Sequence, residues 1–442
     1  MILIANGTVL TMGKSNQVIQ DGGVLIQDSK ILEVGSTQDL QKRFPDAEFI
    51  DARGKLIMPG MINTHMHLYS TFARGMDSKS KPPKNFGDIL EGLWWKLDKL
   101  LTLDDVYYSG LTPLIECIKT GTTTIVDHHA SPMAITGSLS TLAKAAKELG
   151  VRAAFCYEVS DRDGDAIAQE GIKENVDFIA ECQAQPDPMV AGMFGLHASL
   201  TLSDQTLTKC SEEAKRLGAG FHVHVAEGKE DLEDSLSKYG MRVVERLEKF
   251  GVLGPKTIAV HCVHIDDHEI DLLKASKTQV VHNPESNMGN AVGVTPVLKM
   301  LSEGVKVGLG TDGYTCDMFE SGKVANILHK HAMANPSVAW GEVPQMLYGN
   351  NPEIASDLFG GKFGELTEGA WADVIVVDYV PPTPIGSNNW SGHLLFGVSG
   401  RSVETTVING RVRMLDRKLI DIDEEAIGAR SRELAQKLWN RI

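Results

Sequence analysis

The chain has 442 residues, 42% of them hydrophobic, with 43 Lys and Arg against 58 Asp and Glu, a formal charge of −15. That length and apolar fraction allow a large core and exclude a disordered, collagen-like or coiled-coil chain, and the acidic balance argues against nucleic acid or an anionic membrane as partner. The six Cys form no CxxC pair, and no apolar run is long enough for a leader or a bilayer span, so reduced thiols in a cytoplasmic protein are expected.

In chain order, residues 2–12, 23–27 and 31–34 read as short strands separated by Gly, Asn and Asp-Ser turn signals. Eight apolar, β-branched stretches then recur, at 56–65, 122–128, 152–159, 190–197, 220–226, 257–264, 279–284 and 305–311. Amphipathic segments such as 139–149, 202–217, 241–250 and 267–275 lie between them. Strand–helix units in such a series predict a parallel (β/α)8 barrel with reactive groups at the C-terminal ends of its strands; an open doubly wound sheet is the alternative. Residues 69–103 form a long excursion after the first stretch, expected to be a loop and helix over the barrel mouth. Strand character returns at 371–377 and 403–414, where Asn409-Gly410 is a two-residue hairpin signal, and a charged helix over 423–440 closes the chain. The predicted class is α/β: a TIM-type barrel over 57–363, with a small β-sandwich domain formed from both chain ends, 1–56 and 364–442, the terminal helix included.

Of 14 His, eleven fall between 65 and 282, mostly where predicted strands end. His65 and His67 are spaced i, i+2, which aims both imidazoles to one side of a strand. The fifth stretch carries His222, His224 and Glu227, the sixth His261 and His264, and the eighth ends in Gly310-Thr311-Asp312-Gly313. Imidazoles and one carboxylate converging on a barrel mouth suit a Zn2+ or Fe2+ ion with a position left open for water. Taken singly, an HxH pair is more often two polar residues on a strand.

Pro59-Gly60-Met61-Ile62-Asn63-Thr64-His65-Met66-His67, His224-Val225-Ala226-Glu227, His261-Cys262-Val263-His264 and Gly310-Thr311-Asp312-Gly313 resemble the amidohydrolase superfamily. Within it they are similar to the branch of guanine, cytosine and S-adenosylhomocysteine deaminases and triazine hydrolases, whose β-sandwich is matched by 372–378 and 407–410. Asp127-His128-His129-Ala130-Ser131-Pro132, residues 156–164 and His197-Ala198-Ser199-Leu200-Thr201 resemble more closely the aminohydrolases associated with selenium metabolism.

The resemblance implies His65, His67, His224 and Asp312 as metal ligands, Glu227 as proton shuttle and His261 beside the attacking hydroxide, making Glu227, His261 and Asp312 the catalytic set. No Lys ends the fourth stretch, which implies one divalent ion per chain, Zn2+ first and Fe2+ as the alternative. His222 is expected to be a core or hydrogen-bonded residue one layer deeper, and His264 to be structural. The substrate is expected to meet Arg74, Trp94, Asp98, His197 and Asn287. Asp98 stands where nucleoside deaminases carry a Glu that meets ribose, and the shorter side chain weakens the case for a nucleoside. His128, His129, Arg162 and Glu285 are further specificity candidates, and the segment after Asp312 lacks the Ser-Asn-Asn usual in the branch.

The expected activity is hydrolytic deamination of a small amino-substituted N-heterocycle, a purine first, with release of ammonia. Ring opening of a cyclic amide or amidine is the rival, and a non-catalytic scaffold the remote alternative. The expected partners are a small-molecule substrate and a second copy of the chain in a homodimer or larger homo-oligomer, with no nucleic acid and no membrane.

Overall fold

A computed structural model describes residues 1–77 and 79–442. Eight parallel strand positions form a barrel: β1 (Met61–Met66), β2 (Thr122–Asp127), β3 (Arg152–Phe155), β4 (Val190–Gly192, resuming as Phe194–Ala198), β5 (Phe221–Val225), β6 (Ile258–His261), β7 (Gln279–His282) and β8 (Val307–Leu309). Apart from Ala191 and Gly192 their residues are buried, as expected of parallel strands covered by helices outside and packed side chains within. The two parts of β4 belong to different ladders. Val190 opposes Ala153 of β3, Phe194 opposes Phe221 of β5, and Met193 between them donates its N–H to the Phe155 carbonyl at 3.0 Å. The barrel closes where Thr311 donates to the His65 carbonyl at 3.0 Å and Asp312 bridges to Met66. Gly310 makes that closure feasible: a Cβ there would lie 2.8 Å from the His65 carbonyl oxygen and 2.5 Å from Asn283 Oδ1.

Both chain ends join one nine-stranded sheet. Its seam is Leu56–Pro59 running antiparallel to Val374–Val377. The stretch expected as one strand over 56–65 is therefore two, divided at Gly60: the first half belongs to the terminal sheet and the second to the barrel. Ile2–Leu10 is bulged near Asn6, whose φ is +58°, so that Ile2–Ala5 pair with Glu48–Asp51 while Thr8 and Val9 pair with Leu56 and Ile57. That bend lets the sheet wrap a core of its own, including Ile4, Val24, Ile26, Ile57, Val374 and Val407. The strand Glu48–Asp51 and the helix Thr37–Arg43, capped by Ser36, are additions to the expected elements. The hairpin at Asn409-Gly410 is present, with φ of +51° and +74° at the two turn residues.

The excursion after β1 is a short turn, Leu68–Ala73, followed by helical turns over 86–100 that lie across the mouth, and then the long helix Leu103–Thr120. The terminal helix Glu424–Trp439 packs on that long helix. Among the described residues no helix is long and apolar enough to cross a membrane.

Candidate active site

Three barrel strands end in left-handed backbone at residues other than glycine: Ala226 after β5, His261 and Cys262 at β6, and Asp312 after β8, with φ between +45° and +69°. Such conformations persist where surrounding packing imposes them; here Asp312 lines one pocket at the C-terminal ends of the strands, and Ala226 and His261 lie directly behind its wall residue Glu227.

His65, His67 and His224 meet at its floor. His67 Nδ1 donates to the His128 carbonyl at 2.6 Å, leaving Nε2 free, and His224 Nε2 lies 3.3 Å from it. Asp312 Oδ1 lies 3.3 Å from the same His67 nitrogen. His65 Nδ1 hydrogen-bonds His222 Nε2 at 2.8 Å, and the buried His65 Nε2 has no partner. Donors around one tetrahedral ion with bonds of about 2.0–2.2 Å stand roughly 3.3–3.5 Å apart, so this set fits a divalent cation, and the unpartnered His65 nitrogen is what such an ion would satisfy. His222 thus holds the second nitrogen of His65, with Cys156 Sγ 3.6 Å behind it.

His261 turns its own Nδ1 toward Asn287 Oδ1 at 2.8 Å, and Asn287 donates its amide to Thr295 at 3.0 Å. This fixes the amide orientation and keeps the His261 proton on Nδ1. The bare Nε2 faces Glu227 Oε2 at 3.3 Å and Asp312 Oδ2 at 3.6 Å. Asp312 also accepts from the Ser286 hydroxyl at 2.6 Å and the Gly313 N–H at 2.7 Å. Burial, reinforced by Asp312, pushes the Glu227 carboxyl well above the usual carboxylate range. Burial also lowers His261, which keeps it a neutral acceptor. A cation locus, an acceptor imidazole and a carboxyl biased toward its protonated form therefore share one pocket.

The wall above is aromatic, with Tyr69, Phe86, Trp94, Trp95 and Tyr314, and polar at Asp98, Glu158, His197 and Asn290. The expected substrate residues divide. Trp94, Asp98 and His197 line the pocket. Asp98 is paired with Arg162, and burial pushes its carboxyl up to about 6 despite that cation. Arg74 does not reach the pocket: the turn Leu68–Ala73 carries it to the surface, where it pairs with Glu116 at 2.6 Å. Asn287 is fully buried behind His261 and contacts that ring in place of the pocket. Of the further candidates, His128 stacks on His222 with ring centroids 4.4 Å apart, His129 hydrogen-bonds Ser131, and Glu285 accepts from Ser321, outside the pocket wall. His264 lies off the strand and donates its N–H to the Ala226 carbonyl.

Glu158 is among the pocket residues that the sequence reading missed, with Tyr69, Asp231 and Asn290. It lies beyond the end of β3, where the chain wedges between the β2 and β4 exits: Glu158 N–H donates to the His129 carbonyl at 2.8 Å, and His197 N–H to the Val159 carbonyl at 3.0 Å. The available signal was a lone Glu among apolar residues at a strand end.

The amidohydrolase family model matches residues 56–413, and a model of a bacterial imidazolonepropionase-like composite domain matches residues 22–47. The chain is 35% identical over 445 residues to the 5′-deoxyadenosine deaminase of Methanosarcina acetivorans, covering 100% of this chain and 99% of that one. It is 33% identical over 444 residues to the 5-methylthioadenosine/S-adenosylhomocysteine deaminase of Pelotomaculum thermopropionicum, with the same coverage. The zinc-bound crystal structure of an adenosine deaminase from Xanthomonas campestris superposes with a TM-score of 0.87 at 23% identity, over 99% of this chain and 98% of that one, and shares the fold.

Proposed function

The chain belongs to the amidohydrolase family, and on that footing we propose that it is a metal-dependent hydrolytic deaminase of an amino-substituted purine. The observation that carries this reading is Glu227: a buried carboxyl biased toward its protonated form, 3.3 Å from His261 Nε2 and beside the converging His65, His67, His224 and Asp312. Full-length likeness to 5′-deoxyadenosine and 5-methylthioadenosine/S-adenosylhomocysteine deaminases supports the purine.

His65, His67, His224 and Asp312 would hold one divalent ion, Zn2+ first. When bound, such an ion makes hydroxide available near neutral pH by lowering the pKa of water from 15.7 to about 7. Asp312 and the bare Nε2 of His261 accept the proton of the attacking water and hold the resulting hydroxide against the amino-bearing carbon. Glu227 donates its proton to the neighbouring ring nitrogen as the C–O bond forms. The carboxylate so produced takes the proton that Asp312 and His261 accepted and delivers it to the amino group. The C–N bond breaks, the added hydroxyl gives its proton to Glu227 as it becomes a carbonyl, and ammonia leaves. The aromatic wall excludes water and stacks a flat heterocycle. The reading places the catalytic unit in 57–363, scaffolded by 1–56 and 364–442. A cytoplasmic setting is supported by six unpaired cysteines, five of them buried. The exposed rings of Trp340 and Phe396, 5.7 Å apart, support a homo-oligomer.

A panel of amino-substituted purines, pterins and triazines, read for ammonia, tests the activity. Loss of the ring chromophore without ammonia would replace deamination by ring opening. Elemental analysis of protein produced with ample zinc or iron should find about one ion per chain, and His65→Ala or Asp312→Ala should lower that content. Two tightly held ions at full activity, or either variant retaining its ion, contradicts the ligand set.

A further inference from the structure

Five carboxylates reach the pocket wall: Asp98, Glu158, Glu227, Asp231 and Asp312. Four have partners that answer their charge. Asp98 meets the Arg162 guanidinium, and Asp231 accepts the N–H groups of Leu200 and Ala226 at 2.8 and 2.9 Å. Asp312 accepts from Ser286 and Gly313 and belongs to the cation site. Glu227 accepts from Asn290 at 3.3 Å and is biased toward its neutral form.

Glu158 has no such answer. Its side chain is 4% exposed, and its Oε1 lacks a hydrogen-bond partner. Three imidazoles stand around it, and only His67 comes within hydrogen-bond reach. His67 Nδ1 is 3.3 Å away, with its proton committed to the His128 carbonyl at 2.6 Å. His128 Nδ1 and His197 Nε2 are each 3.8 Å away, beyond hydrogen-bond reach. His197 Nδ1 is 2.7 Å from the Thr201 hydroxyl, which itself donates to the Ala198 carbonyl at 3.1 Å. The His197 proton therefore sits on Nδ1, and its Nε2 adds a second bare acceptor beside Glu158. Two acceptors without donors, in a wall that a ligand must touch, ask for donors from the ligand.

We propose that Glu158 is a specificity-determining residue that accepts a hydrogen bond from an N–H or O–H group of the substrate, so that the pocket selects heterocycles carrying a donor next to His197. This deepens the deaminase reading and rests on it. The donor has two sources, a ring N–H of the base or a hydroxyl of an attached sugar.

Two substrate pairs separate those sources. Adenine against 9-methyladenine deletes the ring N–H. Adenosine against 2′,3′-dideoxyadenosine deletes the 2′- and 3′-hydroxyls, and these are the sugar donors the comparison reads. For each compound, kcat/KM for ammonia release and Kd by calorimetry are measured on metal-loaded wild type, Glu158→Ala and Glu158→Gln. In one pair, wild type should prefer the donor-bearing member at least tenfold, as leaving a buried acceptor unpartnered warrants. That preference should shrink to within about twofold in Glu158→Ala and be partly restored in Glu158→Gln. Should Glu158→Ala lose its ion, the same comparison is read on Glu158→Gln, where the preference should still fall severalfold. Ammonia release with unaltered preferences in both pairs overturns the role of Glu158 and leaves the deaminase standing. Preferences that collapse in Kd without any ammonia overturn the deaminase and leave the donor selection. A wild-type protein that binds none of the four compounds overturns both.

Discussion

Glu227 owes its proposed role to burial. Its carboxyl is held well above the usual range because water is excluded and Asp312 is near. Glu227→Gln keeps the shape and the hydrogen bond from Asn290 but cannot carry a proton. General acid–base help of this kind is worth roughly 10²–10⁴ in rate. Turnover should fall at least a hundredfold, about 2.7 kcal/mol, with metal content and thermal midpoint as in wild type. A variant that keeps more than about a tenth of the rate rules out the shuttle. Two other residues diverge at this scale. His197 faces the pocket, so His197→Ala should raise KM. Arg74 is paired with Glu116 at the surface, where such pairs are worth about 0–1 kcal/mol, and Arg74→Ala should leave both kcat and KM alone. A KM change in Arg74→Ala matching that in His197→Ala would put the guanidinium back at the substrate.

The helix Pro284–Gly289, directly after β7, shows how one element serves the site from behind. Ser286 and Asn287 reach Asp312 and His261, while Glu285 points the other way to the Ser321 hydroxyl at 3.0 Å. Burial pushes Glu285 from 4.5 up to about 7. The folded state thus retains a proton that the unfolded chain releases above pH 4.5. The stability this adds is fully present below 4.5 and is lost as pH rises through about 7. It amounts to at most about 3 kcal/mol. Glu285→Gln should therefore flatten the decline of stability between pH 4.5 and 7, as read from denaturant midpoints at pH 5 and 8. Superimposable pH profiles for the two proteins would show that Glu285 titrates alike in both states.

At the scale of the whole molecule, the barrel and the terminal sheet are pinned by one buried ion pair. Arg152 opens β3 with no exposed side-chain area and meets Asp373, just ahead of the strand Val374–Val377. The guanidinium also donates to the Pro188 carbonyl at 2.9 Å and to Thr124 at 3.2 Å, and Asp373 accepts from the Asn409 N–H at 2.7 Å. Asp373→Asn leaves a buried guanidinium without its counter-charge, and breaking such a pair costs about 3–5 kcal/mol. Denaturant unfolding should register that loss, while metal content and kcat below the transition stay as in wild type. An unchanged unfolding midpoint would mean that this ion pair adds nothing to the hold between the two parts.

The sequence by itself determined the barrel, the terminal sheet and the grouping of the histidines, because each follows from local regularities. Apolar β-branched stretches alternating with amphipathic ones specify parallel strands under helices, the i, i+2 spacing of His65 and His67 puts both on one face, and Asn409-Gly410 supplies the positive φ of a tight hairpin. Other features were decided only by partners distant in the chain. The stretch over 56–65 divides at Pro59-Gly60, a local break signal, but only the pairing with Val374–Val377 assigns its first half to the terminal sheet. Arg74 and Asn287 were drawn to the substrate by their nearness to motif residues, yet a surface carboxylate and an imidazole hold them elsewhere. Glu158 lies within the 156–164 segment that carries a resemblance, but nothing in that segment marks it as a pocket residue. What sets it apart is that three neighbouring strand exits bury its carboxyl and leave Oε1 without a hydrogen-bond partner, a shortage that exists only once the barrel has closed around it.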